Sequence, residues 1–399
     1  MAHRTRLRAN MAAWALNSAV LQSEFEAFDA AQFSSPDFDA GGIWLPSGKI
    51  LIGGTQGIDM LAPFRSLGTS CFLAATQAQN WPERASYHNA GDHASPNMNL
   101  GFAWSPDIVS GGRYVAINPS NSAGCNSQSS EDGTQWSFGG LLSAAAETNP
   151  CVAAGRINAG SVPGFVMTWT NPTGLYTSLN GLAWGTVSAT LPANGVAVYS
   201  PTLGLWVIAG DAGVLYTSPT TLAGSWTART TPAGWQAGCG GVKRAVFANG
   251  LFVILPLAAY GKVLTSPDGV TWTEHAIGST QVWTGIAYSA ADGLWMLIAG
   301  STAIATSPDT ITWTVFNHSL ALANDLTVIN SLWVATTLNG GSGGVIWSVD
   351  KGANWQGVAV GNHRVATAGW KRIVAADNRF AAIHTDGASV EVALSLRSS

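Results

Sequence analysis

Apolar positions near the start of the chain recur at alternating spacings of four and three. Leu7, Met11, Trp14, Leu21, Phe25 and Phe28 fall on one stripe, with Ser18 the single polar interruption. That period places one seam along a helix, so residues 1–33 are predicted to form an amphipathic helix. A helix this short is marginal alone and must dock, either on its own domain or on copies of itself. Residues 34–99 break the period with Pro36, Pro46, Pro63, Pro82 and Pro96, and Ile50-Leu51-Ile52 is their one alternating apolar run. They read as an irregular connector with a few strands.

From about residue 100 the pattern changes to short β-branched and aromatic runs bounded by glycine or asparagine. Trp283 to Tyr288 is a strand, Ala291-Asp292-Gly293 a turn and Leu294 to Ala299 a second strand. Ala303 to Thr306 and Thr312 to Phe316 follow as a third and a fourth. Four antiparallel strands make one propeller blade. The same parse gives seven units, at residues 100–140, 150–188, 195–232, 242–277, 283–318, 324–360 and 364–396. The fold predicted is therefore all-β, a seven-bladed β-propeller of four-stranded antiparallel blades over residues 100–397. In the last unit His384-Thr385-Asp386-Gly387 is read as the turn before an outer strand, Ala388 to Leu396. Closure is accordingly expected without a strand borrowed from upstream.

One phrase marks these units. Ser266-Pro267-Asp268-Gly269-Val270-Thr271-Trp272 returns as Ser307 to Trp313 and as Ser348 to Trp355, about 41 residues apart, with weaker copies at Ser130, Ser178 and Ser218. Repeats of this length are the signature of a solenoid or propeller. An aspartate at such a turn accepts backbone amides while glycine takes the positive φ, so Asp132, Asp268, Asp309 and Asp350 are predicted to staple turns. Trp136, Trp272, Trp313 and Trp355 are predicted to pack over the hairpins.

The phrase resembles the Asp-box, or BNR repeat, of sialidase-like β-propellers, whose pattern is Ser-x-Asp-x-Gly-x-x-Trp. Only Ser348 to Trp355 has the full spacing; the copy at Ser307 lacks the glycine and the copy at Ser218 lacks the acid. The resemblance implies a fold and little about activity, because such propellers include sialidases, other glycosidases, lectins and scaffolds.

Composition narrows the choice. Charged residues are 10% of the chain, against about a quarter in ordinary soluble proteins. The 46 glycines and 18 tryptophans suit tight turns and aromatic anchors. A net charge of −4, with Arg4, Arg6 and Arg8 as the only basic cluster, gives no expectation of nucleic acid. No apolar run reaches the ~18 residues of a membrane span, and Met11 to Leu16 is too short for a signal peptide. Cys71, Cys125, Cys151 and Cys239 lack metal-ligand spacing, so no metal and no cofactor is expected. A disulfide between Cys125 and Cys151 is open but unforced.

Sialidase chemistry, which the resemblance raises, needs clustered arginines, a tyrosine with a glutamate partner and an acid/base aspartate. Arg156-Ile157-Asn158 stands where the family has Arg-Ile-Pro, in a different blade. Arg113, Arg229, Arg244, Arg364, Arg372, Arg379 and Arg397 are scattered along the propeller. Asp325 and Glu147, near blade starts, form a carboxylate pair only if both face the channel. A non-enzymatic protein is expected. On the face opposite the repeated turns the parse places Trp169, Asn171, Trp235, Gln236, Tyr260, Trp283, His318 and His363, aromatic and amide groups suited to stacking on sugars.

A helix, a connector and a weakly charged all-β body resemble the layout of phage tail fibres and receptor-binding proteins. This reading expects a virion adhesion protein, a homotrimer through residues 7–28, attached to other virion proteins by its N-terminus and meeting cell-surface saccharide through the propeller. A secreted glycoside hydrolase or lectin is the alternative. An assembly or decoration scaffold without small ligand is the second.

Overall fold

The protein is described by a computed structural model over residues 42–44, 50–52, 83–87, 101–108, 112–118, 126–141, 150–158, 160, 162–168, 174–188, 191–318, 323–337, 344–358, 370–376, 378–385 and 390–395. The chain divides into two compact units, residues 1–80 and 81–397. In the first, Gly42–Trp44 pairs antiparallel with Ile50–Ile52 as a hairpin of its own. The expected helix over residues 1–33, with its seam, lies outside the described residues.

The second unit is an all-β propeller. Six blades are each built from four consecutive antiparallel strands, spanning 101–141, 151–188, 196–229, 242–276, 283–317 and 323–358. One more four-stranded sheet closes the ring, and it is composite. Trp370–Ala376, Arg379–Thr385 and Val390–Leu394 come from the C-terminal end, and Glu83–Tyr87 supplies the outer strand. The expected count of seven self-contained blades is thus corrected to six. Asp386-Gly387 falls between the second and third strands of the closing sheet, so Val390–Leu394 is not its outer strand. That strand's free edge is taken by Glu83–Tyr87, paired from Glu83 opposite Leu394 to Tyr87 opposite Val390.

The core lies between neighbouring sheets and is set by one register level. The second strands place Tyr114, Phe165, Trp206, Phe252, Trp295, Trp333 and Phe380 opposite Trp104, Ala154, Tyr199, Phe247, Tyr288, Val328 and Ala375. All seven second-strand residues are fully buried. Each such side chain stabilises by roughly 1.5–3 kcal/mol relative to exposure. At the closing seam Arg379, also buried, donates from its guanidinium to the Asp132 carbonyl in the first blade.

The repeated turns join third strands to fourth strands. In the first, Ser130 Oγ accepts the Gly133 amide at 2.7 Å and donates to Asp132 Oδ1 at 3.0 Å. Asp132 Oδ1 in turn accepts the amides of Thr134 at 2.7 Å and Gln135 at 2.8 Å. The Trp136 indole closes the loop by donating to the Gly133 carbonyl at 2.8 Å. The turns at Ser178, Ser266, Ser307 and Ser348 repeat the arrangement, with Asn180 standing in for the acid in the second blade. In the copy without glycine, Thr310 takes the left-handed conformation itself, at φ 66°. At the full-spacing copy the extra residue is absorbed by two such positions, Lys351 at 61° and Gly352 at 84°.

These turns make the fold sensitive to acid. Partial burial works to raise the Asp132 carboxyl, but the amides of Gln135 and Thr134 and the hydroxyls of Thr134 and Ser130 bring it down to about 2. The amides of Thr271 and Val270 lower Asp268, and those of Thr312 and Ile311 lower Asp309. A depressed carboxylate stabilises above its unfolded value of 3.8, and that contribution fades as pH falls toward about 2. Because Asn180 already makes the same two amide contacts at 2.9 Å, replacing Asp132, Asp268 and Asp309 together by asparagine keeps the geometry. Thermal unfolding of that variant is expected to lose much of its pH dependence below the usual carboxylate range. A slope equal to that of the parent would contradict the assignment.

Candidate functional site

Each blade begins with its innermost strand, and these strands all run the same way around one axial channel. Loops between blades, and those joining second to third strands, therefore emerge at the channel end where the innermost strands begin. The repeated Ser-Asp turns emerge at the other. The channel encloses about 560 Å³ and is lined by the innermost strands of all six blades and of the closing sheet.

Where four of these strands begin, the ladder carries a bulge at one level. Val242 pairs with Pro256 and Arg244 with Leu255, so Lys243 is the extra residue. Thr284, Asn324 and Lys371 are extra in the same way, ahead of Gly285, Asp325 and Arg372. A bulge re-aims side chains that would otherwise alternate between faces. Two of the four extra residues tie one sheet to the next: Thr284 Oγ1 donates to the Ala323 carbonyl at 3.0 Å, and Asn324 Nδ2 to the Trp370 carbonyl at 3.0 Å. The other two are lysines. Lys243 and Lys371 make no such bond among the described residues, although the fold's own use of this level calls for a neutral amide or hydroxyl.

The following level holds Arg244, Gly285, Asp325 and Arg372. Arg244 Nε reaches past the intervening blade to Asp325 Oδ1 at 3.2 Å, and Asp325 Oδ2 accepts the Ile373 amide at 3.2 Å. Gly285 lies in that intervening blade, and a Cβ there would meet the Leu326 amide nitrogen at 2.8 Å. Arg372 lines the same mouth, which continues into a side recess of about 110 Å³ shared by Lys243, Arg244 and Arg372 and bordered by Asp211. Asp211 is itself held by Asn194 Nδ2 at 2.8 Å.

Electrostatics mark the mouth as cationic. Burial pushes the Lys243 ammonium down to about 8, and the positive charges of Arg244, Arg372 and Lys371 push the same way against the pull of Asp325. Burial, with Arg244, lowers Arg372 to about 10, which leaves it charged at neutral pH. Burial also lowers Lys371. Three cations, Lys243, Arg244 and Arg372, thus gather around Asp325, with Lys371 close enough to act on Lys243 and Asp211 at the margin, in a protein whose net charge is −4. A low-dielectric recess strengthens such fields.

The anticipated saccharide face falls at this same end, but its aromatic platform is not assembled. Trp235 and Trp283 are fully buried, so neither offers a ring face to a sugar. Trp235, in the short helix Ala233–Gly238, instead packs on the edge of Tyr260 at 6.1 Å between centroids. Gln236 is exposed, and its Nε2 donates to Thr231 Oγ1 at 2.8 Å. His318 is 8% exposed, its ring 6.0 Å from that of Trp355, and burial lowers its pKa. Trp169, Asn171 and His363 lie outside the described residues.

Hydrolytic chemistry lacks its assembly among the described residues. Tyr260 donates to Glu274 Oε1 at 2.7 Å, and Lys262 Nζ donates to Glu274 Oε2 at 2.9 Å. Partial burial and the Glu274 acceptor raise the Tyr260 pKa, the reverse of what a nucleophile needs. Glu274 belongs to the outermost strand of its blade and Arg244 to the innermost. Three strand spacings, roughly 14 Å, separate those strands. Asp325 does line the channel, whereas Glu147 lies outside the described residues. Cys151 and Cys239 are free thiols, Cys125 lies outside the described residues, and no metal-holding cluster occurs among the described residues.

No protein-family model and no curated protein matches the chain. Many solved structures resemble the chain, two of them as follows. A streptogramin B lyase structure aligns over 79% of this chain and 97% of its own, at 10% identity and a TM-score of 0.59. YCF48 from Cyanidioschyzon merolae aligns over 76% of this chain and 98% of its own, at 14% identity and a TM-score of 0.53. At these identities the likeness is one of fold, and the fold is a β-propeller.

Proposed function

We propose that the protein is a non-enzymatic recognition propeller that takes the anionic part of its ligand at the channel mouth formed by Lys243, Arg244 and Arg372. The observation that carries this reading is the pair of lysines at the bulge level. Where Thr284 and Asn324 tie blades together, Lys243 and Lys371 add charge at a site already holding two arginines and one carboxylate. Departures from a repeat's own structural rule are where function is expected. The Asp-box likeness of the turns supports the scaffold and gives them no part in binding. Attachment to a virion, and trimer formation through Leu7, Met11, Trp14, Leu21, Phe25 and Phe28, form the biological setting of this proposal; a solution mass equal to one chain would remove the trimer.

A thermal-shift series with matched charged and neutral small molecules tests the reading. Anions are expected to raise the melting temperature, and added salt to weaken the effect. Equal stabilisation by neutral analogues, or turnover of a fluorogenic glycoside, would overturn it. The sign of the pH dependence is also set. Because burial and its cationic neighbours hold Lys243 at about 8, anion affinity is expected to fall as pH rises through that value. Lys243→Ala should remove that fall while leaving the fold intact.

A further inference from the structure

We propose that the ligand of this mouth is an organic carboxylate carried on an apolar tail, the carboxylate held by Lys243, Arg244 and Arg372 and the tail running down the channel. This rests on the reading of the mouth as an anion site and adds what lies beneath it. Below the charged level the side chains of the channel wall are mainly apolar, with Thr327 among them. Ala154, Tyr199, Val246, Phe247, Tyr288 and Val374 line it, and each retains partial exposure although it belongs to an innermost strand. The channel thus holds its buried cations at one end and becomes increasingly aromatic toward the other, where Arg156 lies near Tyr199.

Size agrees with such a ligand. An innermost strand of five residues, such as Val196–Ser200, covers about 17 Å. A volume of about 560 Å³ lies within the usual range for small-molecule sites, which are mostly apolar with a few placed polar groups. A saccharide, with a hydroxyl on most of its carbons, would outnumber the hydroxyls of Tyr199, Tyr288 and Thr327 along that wall, which is unfavourable. An inorganic anion would fill the mouth and leave the apolar space beneath it unused. An aliphatic or aryl carboxylate satisfies both ends.

Isothermal titration of the full chain with acetate, decanoate, 1-decanol and decyltrimethylammonium separates the possibilities. Decanoate is expected to bind at least roughly ten-fold more tightly than acetate, and also more tightly than 1-decanol and the cation. Lys243→Ala should weaken decanoate by about ten-fold at neutral pH while circular dichroism and melting temperature stay at parental values. Equal affinities for acetate and decanoate would overturn the apolar tail and leave the anion mouth standing. Equal affinities for decanoate and 1-decanol would overturn the mouth itself. Binding of none of the four would overturn both. Should Lys243→Ala disturb the fold, Lys243→Met, of similar length and uncharged, carries the same expectation.

Discussion

Asp325→Ala is expected to destabilise the propeller by about 3–5 kcal/mol, the effect of leaving buried charge without its counter-ion. Asp325 is 8% exposed and accepts from both Arg244 and the Ile373 amide. Its carboxylate joins the fourth blade to the sixth and to the closing sheet at once. Without it, Lys243, Arg244, Lys371 and Arg372 face one another with Asp211 only at the margin. Asp325→Asn keeps an acceptor for Ile373 and removes the charge, so its loss should be smaller. The same variant should bind anions more tightly than the parent, since the competing carboxylate is gone. Denaturant unfolding and anion titration on one protein sample check both; a stable Asp325→Ala variant with unchanged anion affinity would contradict the electrostatic account.

Trp295→Ala should cost about 3–5 kcal/mol for a different reason, the cavity left in a packed core. Trp295 is fully buried between the fourth and fifth blades, 4.9 Å from the Tyr288 ring. Replacement by phenylalanine separates packing from hydrogen bonding. The Trp295 indole nitrogen is buried with no acceptor among the described residues, so Trp295→Phe removes an unsatisfied donor and should be mild. Trp206 occupies the same register level in the third blade, but its indole donates to the Arg156 carbonyl at 2.6 Å. Trp206→Phe leaves that carbonyl unpaired and should cost about 1–3 kcal/mol. Equal losses for the two phenylalanine variants, measured by denaturant unfolding, would show that the hydrogen bond contributes nothing.

Much of the fold was legible because the repeat states it twice, once in turn chemistry and once in strand spacing. The expected unit at 283–318 and the observed blade at 283–317 differ by a single residue. Closure was misread because pairing of Glu83–Tyr87 with Val390–Leu394 is a long-range choice. Neither segment carries a local signal for it, and Asp386-Gly387 has the chemistry of any turn.

The site was legible in its face and hidden in its residues. Opposition to the Ser-Asp turns follows from strand direction alone, so the end at which the channel mouth lies was readable from the sequence. Trp235 and Trp283 were taken as exposed platforms because they sit near loops, yet their large apolar rings found burial first. Arg244 and Arg372 read as scattered because they are far apart in sequence. Aligning Val242-Lys243-Arg244, Trp283-Thr284-Gly285, Ala323-Asn324-Asp325 and Trp370-Lys371-Arg372 by register would have gathered them, since each starts an innermost strand after an apolar residue.

Anomalous diffraction from crystals of the full chain grown with 4-iodobenzoate tests the central claim most directly. The account predicts one iodine peak inside the axial channel, with the carboxylate within hydrogen-bonding distance of Lys243 or Arg372. Iodobenzoate bound elsewhere, on the Ser-Asp turns or against Tyr260 and Gln236, with the channel mouth empty, would contradict it.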